Sequence, residues 1–251
     1  MRIVVVGGTG LIGSQVVARL HDAGHEAVVA APSTGVDTLT GVGVDEALAG
    51  ADVVVDVSNS PSFADDDVME FFTTSTRNIL DAERAAGVAH HVALSVVGSD
   101  RLPDSGYLRA KVAQEQLIEA GPVPYTIVRS TQYYEFVESI TAAATEGDVI
   151  RVPDALIQPV AAEDAASAAG RIAAGEPVNG IVEIGGPTPY RFDELVRYDL
   201  KAHDDPREVV ADPDAQYFGT RLTDGELLPG EDAERGQIRF EDWLASLTTA
   251  R

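Results

Sequence analysis

The chain has no cysteine, two lysines, one tryptophan and no uninterrupted apolar stretch approaching eighteen residues. Without thiols it can build neither a disulfide framework nor a thiolate metal centre. Its five histidines, His21, His25, His90, His91 and His203, show no ligand spacing with carboxylates, so no metal is expected. The lack of a long apolar run argues against a membrane span, and the first residues enter a strand pattern instead of a signal-peptide pattern. A soluble, cytoplasmic protein is the expectation. Basic residues are also scarce: 18 Lys and Arg face 41 Asp and Glu, a formal net charge of −23. Such a surface repels nucleic acid and offers nothing to an anionic membrane, so neither is an expected partner. Sixteen of the basic residues are Arg. Two explanations of this bias stand side by side: a salt-rich cytoplasm that screens the carboxylates, or a GC-rich genome that favours Arg, Ala, Gly and Asp.

What remains is rich in structure signals. At 251 residues and 45% hydrophobic content, the chain can bury one large α/β core, alone or with an appended lobe. It opens with the apolar run Ile3 to Val6, then Gly7, Gly8, Gly10 and Gly13, then the helical spacing Leu11, Val16, Val17, Leu20. A strand, a glycine-rich turn and a helix in that order form the fingerprint of dinucleotide binding. Gly8 and Gly10 would let the backbone turn tightly and approach a pyrophosphate, Gly13 would let the helix pack on the strand, and the amides at Leu11, Ile12 and Gly13 would face the anion.

Short apolar runs then alternate with helix-period stretches. Strands are expected at residues 3–6, 27–31, 53–57, 92–95, 125–128 and 181–184. Helices are expected at 11–23, near 45–49, and at 65–86, 107–120, 134–145, 163–174, 192–201 and 240–247. This alternation predicts a Rossmann-type, doubly wound parallel sheet with a small C-terminal substrate-binding lobe. The dinucleotide-binding domain is placed at residues 1–186 and the lobe at 187–251, with a soft boundary inside what is expected to be one structural domain. Asp65, Asp66 and Asp67 read as helix-start carboxylates complementing the dipole.

A second signature, Tyr107-Leu-Arg-Ala-Lys111, has seven tyrosines and two lysines to draw on, so chance supplies it only about 0.06 times. On a helix the two side chains share a face. A nearby ammonium favours a phenolate and would lower the Tyr107 pKa toward working pH, making the phenol a proton donor to a carbonyl. The competing reading pairs Lys111 with Glu115 on a solvated surface.

With these residues in view, the chain resembles an atypical short-chain dehydrogenase/reductase of the NmrA-like, NAD(P)-binding branch. Gly7, Gly10 and Gly13 carry its Gly-x-x-Gly-x-x-Gly turn, and the likeness continues through GADVVVDVSN, TRNIL, HHVALSVVG, YLRAKVAQEQL, YTIVRSTQYYEF and QPVAAEDAA, most of residues 1–186. The resemblance implies that Lys111 also holds the nicotinamide ribose, that Ser58 and Asn59 lie beside the cofactor, and that residues 129–133 pass near the nicotinamide. Ordinary turn chemistry with Pro61 is the alternative for Ser58 and Asn59. The sequence departs from active relatives at LSVVG, where Val96 stands in place of a second serine. Ser95 is then the remaining orienting hydroxyl, with Ser99 a more distant substitute and Asn78 more simply a helix side chain bonded to neighbouring backbone.

Cofactor choice is set at the end of the second strand, where AVVAAPSTG offers neither the acid that holds a ribose nor an Arg for a 2′-phosphate. Hydroxyls at Ser33 and Thr34 tilt the reading to NADP, with NAD possible because Asp37 follows. A small-molecule substrate is expected at the carboxyl ends of the strands, beside Gln132, Tyr133 and Tyr134 and a lobe carrying Tyr217 and Phe218, with core packing the alternative for Tyr133, Tyr134 and Phe136. Three functions fit. The first is an NAD(P)H-dependent oxidoreductase reducing a small carbonyl compound, with Tyr107 as acid, Lys111 as its modifier and Ser95 as orienting donor. The second is a non-catalytic dinucleotide sensor. The third, a nucleotide-sugar epimerase, would call for a larger lobe. Monomer and homodimer are both compatible with the helix faces.

Overall fold

The computed structural model describes residues 1–223 and 225–249. In chain order the elements are β1 (Arg2–Val6), α1 (Leu11–Asp22), β2 (Glu26–Ala30), α2 (Val44–Leu48), β3 (Val53–Asp56), α3 (Asp65–Ala86), β4 (His90–Val96), α4 (Gly106–Glu119) and β5 (Tyr125–Ser130). There follow α5 (Val137–Ala143), β6 (Thr145–Glu146), β7 (Val149–Pro153), β8 (Leu156–Ile157), α6 (Ala162–Ala173), β9 (Gly180–Gly185) and β10 (Tyr190–Arg191). The chain ends with α7 (Phe192–Ala202), β11 (Glu208–Asp212), β12 (Gln216–Tyr217), β13 (Thr220–Arg221), β14 (Glu234–Arg235) and α8 (Phe240–Thr249).

Seven strands form the main sheet in the order β14-β9-β5-β4-β3-β1-β2. β1 pairs in parallel with both β2 and β3, β3 with β4, and β14 with β9. Crossing from β3 over β1 to β2 and then outward through β4 and β5 is the doubly wound pattern, so the Rossmann-type α/β fold read from the sequence is the fold of the protein. The unbroken apolar runs follow from it: Ile3 to Val6 and Val53 to Val55 are buried on both faces of the sheet. On α3 the buried positions Val68, Phe72, Ile79 and Ala82 keep the helical period.

The chain groups into two compact units, one of residues 1–129 and 165–182, the other of residues 130–164 and 183–251. The first holds β1 to β4, α1 to α4 and nearly all of β5. In the second, β7 pairs in parallel with β11 and antiparallel with β6, a small sheet that the sequence reading did not anticipate. Its core is aromatic: Tyr134 packs 5.0 Å from Phe240 and 5.7 Å from Trp243, whose ring stacks on Phe240. The helix expected at 134–145 is shorter, a 3-10 turn at Tyr134–Phe136 followed by α5, because the chain turns at Ala144 into β6 and β7.

Candidate functional site

The glycine-rich turn has a specific shape. Gly7 sits at φ +77°, the left-handed region that disfavours any side chain, and a Cβ there would lie 2.8 Å from the Ser58 backbone. A Cβ on Gly13 would lie 2.2 Å from the Gly7 carbonyl oxygen, so only glycine lets α1 start this close to the turn. The tight turn thus belongs to Gly7, whereas Gly10 is extended and serves as N-cap. The first intrahelical bond is from Ser14 N–H to the Gly10 carbonyl (3.0 Å), which leaves the amides of Leu11, Ile12 and Gly13 without intrahelical acceptors. A helix start with open amides and no side-chain cap fits a pyrophosphate.

From Gly7 the contacts run outward. Ser58, against the turn, donates its backbone N–H and hydroxyl to Asp56 at 3.0 and 2.6 Å. Next along the chain, Asn59 accepts a hydrogen bond from the Tyr107 hydroxyl at 3.2 Å. Tyr107 stands in the first turn of α4, its ring 5.8 Å from Phe72 and 5.7 Å from Phe63. The structure therefore brings Gly7, Ser58, Asn59 and Tyr107 into one continuous set within the first unit.

Lys111 is almost fully buried one turn beyond. Its ammonium donates to the Leu94 carbonyl at 2.8 Å and to Gln114 Oε1, and lies 4.3 Å from the centre of the Phe72 ring. Gln114 in turn donates to Asp56 at 3.1 Å. Burial lowers the Lys111 pKa to about 8, against the opposing pull of Asp56 and Glu115. The solvated Lys111–Glu115 surface pair is thereby excluded. The expected lowering of the Tyr107 pKa does not occur either: desolvation pushes the phenol up to about 12.

Several other expected residues have commitments elsewhere. Ser95 does not present its hydroxyl to a ligand; it is buried and donates to Glu115 Oε1 at 2.5 Å. Glu115 also takes Arg129 through Nε at 2.9 Å and Nη2 at 2.7 Å, and Arg129 reaches Asp100 at 2.9 Å. This buried fork holds the end of β5 against α4. Ser99 is buried, and among the described residues its hydroxyl has no partner. Asn78 donates to the Thr38 carbonyl at 2.8 Å, the backbone-bonded role expected of it.

Thr34 accepts from Ala31 N–H and donates to the carbonyls of Val29 and Ala31, so its hydroxyl closes a 3-10 turn and is not free for a phosphate. Ser33 in the same turn is exposed. Asp37 accepts the Leu39 and Thr40 amides, and these bonds, those from Thr40 foremost, lower its pKa. In the second unit, Tyr134 is core: its hydroxyl donates to the Ile238 carbonyl at 2.9 Å. Tyr133 shares a 2.6 Å bond with Ser130, and Gln132 is buried with Oε1 unpartnered among the described residues.

Asp56, Gln114 and Phe63 escaped the sequence reading. Asp56 closes an all-valine strand and Gln114 lies three residues after Lys111, and only the fold places them together.

A family model described as NAD(P)H-binding matches residues 7–151, more than half of the chain. A reductase from Streptomyces griseus, named (4-alkanoyl-5-oxo-2,5-dihydrofuran-3-yl)methyl phosphate reductase, is 30% identical over 162 residues, 59% of this chain and 54% of that protein. The match thus spans about half the length of that curated relative. A short-chain dehydrogenase/reductase superfamily protein from Agrobacterium tumefaciens, solved with NAD, aligns over 100% of this chain and 97% of its own with a TM-score of 0.77 at 18% identity. An NADPH-dependent quinone oxidoreductase from Escherichia coli aligns over 98% and 99% with a TM-score of 0.73 at 18% identity. A UDP-glucose 4-epimerase from Thermus thermophilus, solved with NAD, aligns over 99% and 93% with a TM-score of 0.69 at 20% identity. At these identities the solved structures share the fold. The family match covers the glycine turn, Tyr107 and Lys111 alike, and with it the chain belongs to the NAD(P)H-binding family, in the atypical short-chain dehydrogenase/reductase class its motifs resemble, with a nicotinamide dinucleotide as cofactor.

Proposed function

We propose that the protein is an NAD(P)H-dependent reductase of a small carbonyl compound, with Tyr107 as the proton donor. One observation carries the reading: an unbroken path of contacts from Gly7 through Ser58 and Asn59 to the Tyr107 hydroxyl ties the phenol to the cofactor turn. The amides of Leu11, Ile12 and Gly13 would hold the pyrophosphate, and the cofactor, once bound, supplies hydride. A phenol held near 12 is fully protonated at neutral pH, which is the donor form. Asn59 fixes where its hydroxyl points. Lys111, donating to the Leu94 carbonyl and Gln114 Oε1 with its charge over Phe72, holds α4 against β4. The named substrate of the Streptomyces griseus relative carries oxo and alkanoyl groups on a dihydrofuran ring, which favours a compact carbonyl-bearing ring as the substrate class.

We assign dinucleotide binding to the first unit and substrate selection to the lobe, and keep NADP ahead of NAD because no acid ends β2. A Kd for NAD at least tenfold below that for NADP would reverse that choice. The decisive measurement is oxidation of NADPH and NADH against a panel of quinones, enones and lactones, comparing wild type with Tyr107→Phe. Removing a positioned acid is expected to lower turnover by about 10²-fold or more while leaving cofactor Kd unchanged. Unaltered turnover would refute the assignment. The second reading, a dinucleotide sensor without chemistry, draws on Val96 and on the commitment of Ser95 to Glu115. Tight cofactor binding with no turnover across the panel would establish it.

A further inference from the structure

We propose that Glu138, Asp199 and His203 form a divalent-metal site in the second unit, with one imidazole and two carboxylate ligands. Glu138 lies on α5, Asp199 on α7, and His203 caps the C-terminus of α7 one turn after Asp199. One ligand atom from each falls within 4.8 Å of the others.

The hydrogen-bond roles call for positive charge in this cluster, from a second ring proton or from a metal ion. His203 Nδ1 lies 2.9 Å from the Asp199 backbone carbonyl, which can only accept, so Nδ1 carries the hydrogen. In the neutral ring Nε2 is then a bare lone pair, and it faces Glu138 Oε1 at 3.1 Å. Two acceptors at that distance repel unless a proton or a metal ion lies between them. An imidazole that donates its second nitrogen to a backbone carbonyl is also the arrangement that orients histidine for a metal.

Asp199 supplies the independent sign. It is 3% exposed, and among the described residues the ion-pair contact of its carboxylate is to the His203 ring, with Nδ1 3.5 Å away. A carboxylate this far from water is costly and is stabilised by a positive partner beside it. The surroundings add negative potential. The C-terminal end of α7 carries its dipole's negative pole, and Asp205 lies close enough to act on Asp199, although its own carboxylate is held by the Arg207 fork. A nitrogen and two carboxylates suit Zn²⁺, Co²⁺ or Mn²⁺ better than Ca²⁺ or Mg²⁺. The bound ion would clamp α5 to α7, a structural role independent of the chemistry assigned to Tyr107.

The sequence reading saw no ligand spacing, but Asp199 and His203 stand four apart on one helix face, and Glu138 joins them only through the fold. The test is titration of chelator-stripped full-length protein with Zn²⁺ by calorimetry at pH 7.5, with Co²⁺ absorption as the ligand-sensitive readout. One Zn²⁺ per chain, a raised Tm on loading, and at least tenfold weaker binding in His203→Gln and Glu138→Gln are expected. Glu138 is exposed, so its variant tests the site even if changes at buried Asp199 impair folding. Absence of saturable binding in wild type, as when a proton alone bridges His203 and Glu138, would overturn the proposal. So would undiminished binding in both variants.

Discussion

His91 and Glu83 form an ion pair from which water is almost wholly excluded, at 1% and 0% side-chain exposure with Nδ1 and Oε1 2.6 Å apart. Burial alone would drive the imidazole toward neutrality, but the charge and hydrogen bond of Glu83 outweigh it and hold the His91 pKa above its ordinary value. A folded-state pKa above the unfolded one gives stability that is complete below pH 6.5 and is lost as pH rises through the folded pKa. Urea midpoints should therefore fall on the alkaline side of 6.5, and His91→Gln should flatten that slope. Breaking one side of such a pair costs about 3–5 kcal/mol, which Glu83→Gln should show in equilibrium unfolding. At this scale the sequence revealed functional groups but not their partners. Tyr107 stands out by its spacing from Lys111, whereas Ser95 and Thr34 carry hydroxyls that the fold turns to Glu115 and to local carbonyls, and Tyr134, read as a wall of the substrate cleft, is core with its hydroxyl on Ile238. Those acceptors lie on other elements or in backbone, where no side-chain pattern marks them.

At the scale of the element, the start of α1 is the most constrained feature. Gly13→Ala would force a methyl into the Gly7 carbonyl and displace the helix start from the turn. Cofactor Kd should rise at least tenfold by fluorescence titration, an effect of about 1.4 kcal/mol or more. A Gly24→Ala control meets nothing within 4 Å and leaves the turn intact, although its positive φ carries a small strain. Elements of the main sheet were readable because strands buried on both faces are unbroken apolar runs and the helices between them keep a 3.6 period. The β7–β11 pair was not: each strand has five residues, and their partnership joins Val149–Pro153 to Glu208–Asp212 across some sixty residues of chain. The expected helix over 134–145 ran past its true end for a related reason, since Ala144 carries no breaker and the turn there is imposed by the sheet that follows.

For the molecule as a whole, charge is the dominant property. A net −23 spread over 251 residues is self-repulsive, and the measured sign of its response to salt separates the two explanations of the composition. If the protein is adapted to a salt-rich cytoplasm, Tm should climb steadily from low to molar potassium chloride; a flat response removes that idea and leaves genome composition. Among the described residues no helix is long and apolar enough to cross a membrane. The sheet also has a bearing on how copies of the chain meet. Its outermost strand beyond β9 is the two-residue β14, and both Glu234 and Arg235 are exposed. So brief and charged a margin gives an incoming strand almost nothing to zip onto, which guards that flank against fibril-like growth.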